Sequence, residues 1–144
     1  MRQLALGMLA RREHSRLELH TKLLRQGCQE TVAAQIVEQL QQERLLSEER
    51  FVESLVSVRR SRGYGPVRIQ RELLDKGIAP EAVERTVDAG SRDWIEQLMR
   101  VWQKKFGGQY PRSYAERAKQ ARFLQFRGFT YEQIQQALNP RDND

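Results

Sequence analysis

Apolar residues recur three and four positions apart along almost the whole chain, and the strict alternation of a half-buried strand is nearly absent. The pattern predicts an all-α protein. Leu4, Leu6, Met8 and Leu9 open a first helix that runs to about Arg12. Ser15 followed by Glu18 has the spacing of a capping box, so a second helix begins there, carries Leu17, Leu19, Leu23 and Leu24, and ends at Gly27. Val32, Ile36, Val37 and Leu40 mark a third.

The pattern then restarts. Ser47 is a good N-cap for a long helix carrying Phe51, Val52, Leu55, Val56 and Val58, and Pro66 suits the first turn of the next, which holds Val67, Ile69, Leu73 and Leu74 before Gly77. Pro80 opens another helix with Val83 and Val87. Registering Gly27 on Gly77 tests the repetition, because the same shift lays Ser15 on Gly65, Leu17 on Val67, Leu19 on Ile69, Leu23 on Leu73 and Val37 on Val87.

A third copy follows from Ser91, with Trp94, Ile95, Leu98, Met99 and Trp102, then Phe123, Leu124 and Phe126 before Gly128, and a last helix capped by Thr130 and Gln133. It departs between its first two helices, where Phe106 to Pro111 adds a loop or extra helical turns. The expected organisation is three tandem three-helix repeats, residues 1–46, 47–90 and 91–144, the last with a longer first helix or inserted loop and a polar tail from Pro140. Units this small bury little surface alone, so neighbours are expected to share apolar faces in an elongated, curved array.

The charge adds a second periodicity. The chain has 144 residues, 39% hydrophobic and 31% charged, a net charge of +6 and a pI near 9.9. The mean hydropathy of −0.75 is that of a soluble protein, and no apolar window reaches the length of a membrane span or has the layout of a signal peptide. Basic residues gather on the first two helices of each unit: Arg11, Arg12, Arg16, Lys22 and Arg25; Arg59, Arg60, Arg62, Arg68, Arg71 and Lys76; Lys104, Lys105, Arg112, Arg117, Lys119, Arg122 and Arg127. Acids fall at the junctions, from Glu30 to Glu53 and from Glu81 to Glu96. A single arginine here reads equally as a solvated helix face with i,i+4 pairs or as an anion contact, and recurrence at the unit period favours the anion contact.

Arg59-Arg60-Ser61-Arg62-Gly63-Tyr64-Gly65-Pro66 is the most unusual segment. Its glycines, both free to take positive φ, suit a tight turn with Tyr64 packed beneath, whereas the arginines have no evident packing role; Arg beside Tyr is also a means of holding phosphate and stacking a base. Trp94, Trp102 and Phe106, and likewise Phe123, Phe126 and Phe129, are expected in the core or between units. His14 and His20 have no partner at ligand or triad spacing, so both read as ordinary surface or packing residues. The lone Cys28 stands where the other units have Ile78 and Phe129, which makes it a packing residue and forbids an internal disulfide. With no phosphate-cradling loop, dinucleotide fingerprint or metal-ligand set, neither an enzyme nor a cofactor or metal is expected.

The same residues resemble a family. Ala10-Arg11-Arg12-Glu13-His14-Ser15 with Glu18-Leu19 and Lys22-Leu23, Arg50-Phe51, Arg62-Gly63-Tyr64-Gly65-Pro66 with Ile69, Glu72-Leu73 and Lys76-Gly77-Ile78, and Arg122-Phe123-Leu124 with Arg127-Gly128-Phe129 resemble the RecX recombination regulators over nearly the whole chain. The resemblance implies a cytoplasmic array of three-helix repeats that lodges in the groove of the RecA filament on single-stranded DNA and inhibits its ATP hydrolysis, strand exchange and coprotease action; the chain itself is expected to be a monomer. Filament or DNA contacts are then expected at the basic residues named above for the three units, from Arg11 to Arg127, other than Lys104 and Lys105, with Tyr64 among them. A helix-turn-helix DNA-binding regulator is the alternative from another class, and metal-dependent turnover on nucleic acid a third.

Overall fold

A computed structural model describes residues 1–139; the expected tail from Pro140 to Asp144 lies outside them. Among the described residues there are nine helices and no strand: α1 (Arg2–Arg11), α2 (Arg16–Arg25), α3 (Glu30–Gln42), α4 (Glu48–Ser61), α5 (Pro66–Asp75), α6 (Pro80–Thr86), α7 (Asp93–Phe106), α8 (Tyr114–Arg127) and α9 (Tyr131–Leu138). None is long and apolar enough to cross a membrane.

Short polar side chains start several of these helices. Ser15, Ser47 and Ser113 accept from the backbone N–H groups of Glu18, Arg50 and Glu116 at 3.1, 3.2 and 3.1 Å. Thr130 and Gln133 form a complete capping box. The box expected at Ser15 is only half made, because the Glu18 carboxylate turns away to Arg12 and Lys76.

The middle helix of each unit stops by one device. Gly27, Gly77 and Gly128 take φ of +88°, +85° and +101°, and the next residue donates back to the carbonyl five positions earlier: Cys28 to Leu23, Ile78 to Leu73 and Phe129 to Leu124, at 3.1, 3.1 and 3.2 Å. Cys28, Ile78 and Phe129 are all buried, as packing residues at equivalent positions. In the third unit α7 has 14 residues, the same as α4, and the expected extra length is a loop at 107–113 together with an α8 of 14 residues against 10 in α2 and α5.

The shared apolar face holds for one junction only. A single core runs from Phe51 and Val52 through Ile69, Leu73 and Val87 to Trp94, Trp102, Leu124 and Leu138, so α4 to α9 pack as one body. The first unit keeps a separate core of Ala5, Leu19, Leu23, Ile36, Val37 and Leu40, closed by Leu46. Between the second and third units the backbones touch: Gly65 N–H donates to Arg127 O at 2.7 Å and Val67 N–H to Gly128 O at 2.8 Å. A Cβ on Gly65 would lie 2.6 Å from the Gly128 carbonyl. Gly63 has φ of +84°, as a turn requires, but Gly65 is extended at −94°, so close approach rather than positive φ demands its glycine.

No hydrogen bond or salt bridge identified among the described residues joins the first unit to the third. The accessible surface is 9511 Å², above the about 7,700 Å² that size scaling gives a compact monomer of 16.9 kDa, in keeping with an extended array. Trp94 and Trp102 are buried and Phe106 packs edge-on to Phe123 against the core. Phe126 overturns the expectation of burial. It sits on the outer face of α8, 78% exposed.

Candidate functional site

The basic residues divide into those that hold the fold and those that face solvent. In the first unit Arg12 grips Glu18 through both terminal nitrogens at 3.0 and 2.7 Å, and Lys76 of the second unit reaches the same carboxylate at 3.1 Å. Burial pushes this carboxyl up, but hydrogen bonds from Arg12 and Lys76 outweigh it and hold it at about 2. Arg16 pairs with Glu38 at 3.1 Å and its backbone N–H donates to Glu48 at 2.9 Å. Arg50 reaches back to Glu13 at 3.0 Å, so the first junction is largely ionic.

His14 is buried beside these groups, its Nδ1 3.1 Å from Arg12 O and its Nε2 2.8 Å from Lys22 Nζ. Burial lowers its pKa, as do the positive charges of Arg12 and Lys22, so the ring is held neutral and Nε2 accepts from the ammonium. Lys22 is lowered in turn by burial and by Arg12. Arg11 and Arg25 are exposed and make no hydrogen bond or ion pair through their side chains among the described residues.

In the second unit Arg59 makes a two-pronged pair with Glu72 at 2.7 Å on each arm, which raises the Arg59 pKa and lowers that of Glu72. Arg60 lies 4.3 Å over Trp94. Arg68 lies 4.2 Å over Tyr64 and also reaches Phe126 at 5.7 Å. Of the three arginines in the 59–66 segment for which the sequence suggested no packing role, Arg59 and Arg60 are thus engaged by the fold, since a guanidinium is flat enough to cover an aromatic face and long enough to reach a neighbouring helix. Arg62 and Arg71 remain exposed, and their guanidinium groups make no ion pair among the described residues.

In the third unit Arg117 binds Leu138 O, Asn139 Oδ1 and Gln135 Oε1 at 3.3, 2.8 and 2.6 Å and fastens the end of α9. Arg127 donates to Arg62 O at 2.9 Å and covers Tyr64 and Phe123, each at 5.3 Å. Tyr64 is therefore half-buried under two guanidinium groups, with its ring already occupied. Arg112, Lys119 and Arg122 are exposed, and their side chains make no ion pair among the described residues.

One concavity gathers cations. A cleft of about 730 Å³ between α4, α7 and α8 is lined by Arg60, Arg62, Arg100, Lys104, Lys105 and Arg127, with Val101 and Phe123 between them and no carboxylate among the described residues. It joins three expected contact residues to three from α7. Arg100 was not among the expected residues, although Arg100 and Lys104 stand four apart on one helix face, with Lys105 beside Lys104, a spacing legible in the sequence. The cleft does not include the basic residues of the first unit, Arg68, Arg71 or Lys76, nor Arg112, Arg117, Lys119 and Arg122.

The fold defines the class, an all-α repeat protein of three three-helix units. The chain belongs to the RecX family: residues 2–40, 47–87 and 92–138 match the first, second and third three-helix domains of RecX in order. Proteins named "Regulatory protein RecX" from Pseudomonas fluorescens and Pseudomonas syringae pv. tomato are each 42% identical to it over 144 residues, covering 100% of this chain and 93% of theirs. The crystal structure of RecX from Lactobacillus salivarius superposes with a TM-score of 0.80 over 99% of this chain and 95% of that one; at 21% identity this likeness speaks for the fold.

Proposed function

We propose that this protein is a negative regulator of homologous recombination and the SOS response that binds the RecA filament on single-stranded DNA and inhibits its ATP hydrolysis, strand exchange and coprotease action. The observation that carries the reading is the recurrence of solvent-facing cations without an ion pair among the described residues, Arg11 and Arg25, then Arg62 and Arg71, then Arg112, Lys119 and Arg122, along a chain of the RecX family. An extended array with one cationic patch per unit meets a repetitive anionic partner at successive equivalent places, and each contact releases counterions. Direct DNA contact belongs to this reading, as does a contribution from the exposed Phe126 ring beside Arg68.

The test is ATP hydrolysis by preformed recombinase filaments, titrated with the wild-type chain and with an Arg62→Ala, Arg71→Ala, Arg122→Ala triple variant across a salt series. None of these side chains holds the fold, so helicity should be unchanged while inhibition weakens and its salt dependence flattens. Full inhibition by the triple variant at matched folding would refute the assignment of the patch, and no inhibition by the wild type would refute the function.

A further inference from the structure

The cleft between α4, α7 and α8 has a chemistry of its own. Its six cations share the lining with no carboxylate of the described residues, and several are fixed before any ligand arrives: Arg60 by Trp94, Arg100 by a 2.9 Å bond to Gln97 Oε1, and Arg127 by Arg62 O. A ligand would therefore spend little on ordering them. Val101 and Phe123 lie between the cations, so the occupant should be anionic and also bring an apolar group.

Nucleic acid and an acidic polypeptide both satisfy the charge, and the rings separate them. Single strands are held without sequence preference largely by stacking bases on open aromatic faces. Here Trp94 is buried under Arg60, and Phe123 carries Lys105 and Arg127 at 5.3 Å each with Phe106 against it edge to face. No open ring is left for a base. Guanidinium forks still offer paired N–H groups to carboxylates, and Val101 is a seat for an aliphatic side chain.

We infer that this cleft docks an acidic protein segment bearing an aliphatic residue, its carboxylates on Arg60, Arg100 and Lys104 and its apolar group over Val101. The inference deepens the proposed function and rests on it only for the source of that segment, the protein rather than the DNA of the filament.

The experiment uses the full chain and a short fluorescein-labelled peptide alternating Glu and Leu, read by anisotropy, with an oligothymidylate of equal net charge as competitor. Lys104→Glu and Arg100→Glu should each weaken peptide binding about tenfold or more, whereas Arg85→Glu, the same charge change at the exposed end of α6 and outside the cleft, should leave it unaltered. Replacing the peptide's Leu by Ser should weaken it too. Peptide binding that survives both cleft variants overturns the inference. Equal displacement by the oligothymidylate also overturns it and assigns the cleft to nucleic acid. Filament ATP hydrolysis is read in parallel: inhibition without peptide binding sinks the cleft and spares the function, and peptide binding without inhibition does the reverse.

Discussion

Replacing Glu18 by Gln tests whether charge holds the first unit to the second. The Glu18 side chain is only 6% exposed, and Arg12 and Lys76 share its carboxylate across the junction. Burial alone would raise its pKa, yet the group sits at about 2 rather than the ordinary 4.5, a preference for the ionised form of about 3 kcal/mol. The amide keeps the shape and the cap from Ser15 to its own N–H, but strands two cations without their anion. The expected loss is about 2–3 kcal/mol at neutral pH. Because the folded-state pKa is depressed, the stabilisation is complete above the unfolded value and fades as pH falls toward about 2, where wild type and variant should converge. The two tryptophans make the assay selective: Trp94 and Trp102 both lie in the core of the second and third units, whereas far-ultraviolet circular dichroism reports every helix. In urea the variant should lose helicity in an early step while its tryptophan midpoint stays with the wild type. Equal displacement of both signals, or of neither, would refute an ionic junction bearing on the first unit alone.

Three further outcomes follow from the same geometry. Gly65→Ala places a Cβ 2.6 Å from the Gly128 carbonyl, so the two-unit core should lose about 3 kcal/mol or more, seen as a fall in the tryptophan unfolding midpoint. His14 is held neutral by burial and by neighbouring cations, and a depressed folded-state pKa means stability lost as pH falls below the unfolded value of about 6.5; first-unit stability should decline from pH 7 to 5, and His14→Gln should flatten that slope. Arg117→Ala removes three acceptors' partner at the end of α9, so amide exchange at 135–138 should speed up about tenfold, with α4 and α5 unaffected.

Much of the fold was legible because the repeat fixes local geometry. The glycine that ends the middle helix, the buried residue after it and the capping serines each act within a few residues, so their types and spacing are enough. The half-made capping box at Ser15 marks where that ends. Glu18 has the right spacing, but a partner from the next unit takes its carboxylate, and no local rule names that partner. Phe126 fails for a related reason: apolar spacing on α8 gives the helix, yet which apolar residue faces inward depends on where α5 and α9 sit.

The two junctions show why charge was harder to read than fold. The repeat register lays Glu18 on Arg68, His14 on Tyr64 and the Lys76-Gly77 pair on Arg127-Gly128. At the first junction the acid bridges Arg12 and Lys76; at the second, where the equivalent residue is itself basic, no such bridge is possible. There the tyrosine ring takes the place of the anion, with Arg68 on it at 4.2 Å and Arg127 at 5.3 Å, and a shared apolar core supplies the remaining cohesion. Sequence bands marked both sets of cations as one surface. Arg12, Arg59, Lys76 and Arg117 are spoken for by the fold, so the surface available to a partner is set by the cations left over, Arg11, Arg25, Arg62, Arg71, Lys104, Arg112, Lys119 and Arg122, which become visible only once every acid and ring has been assigned its neighbour.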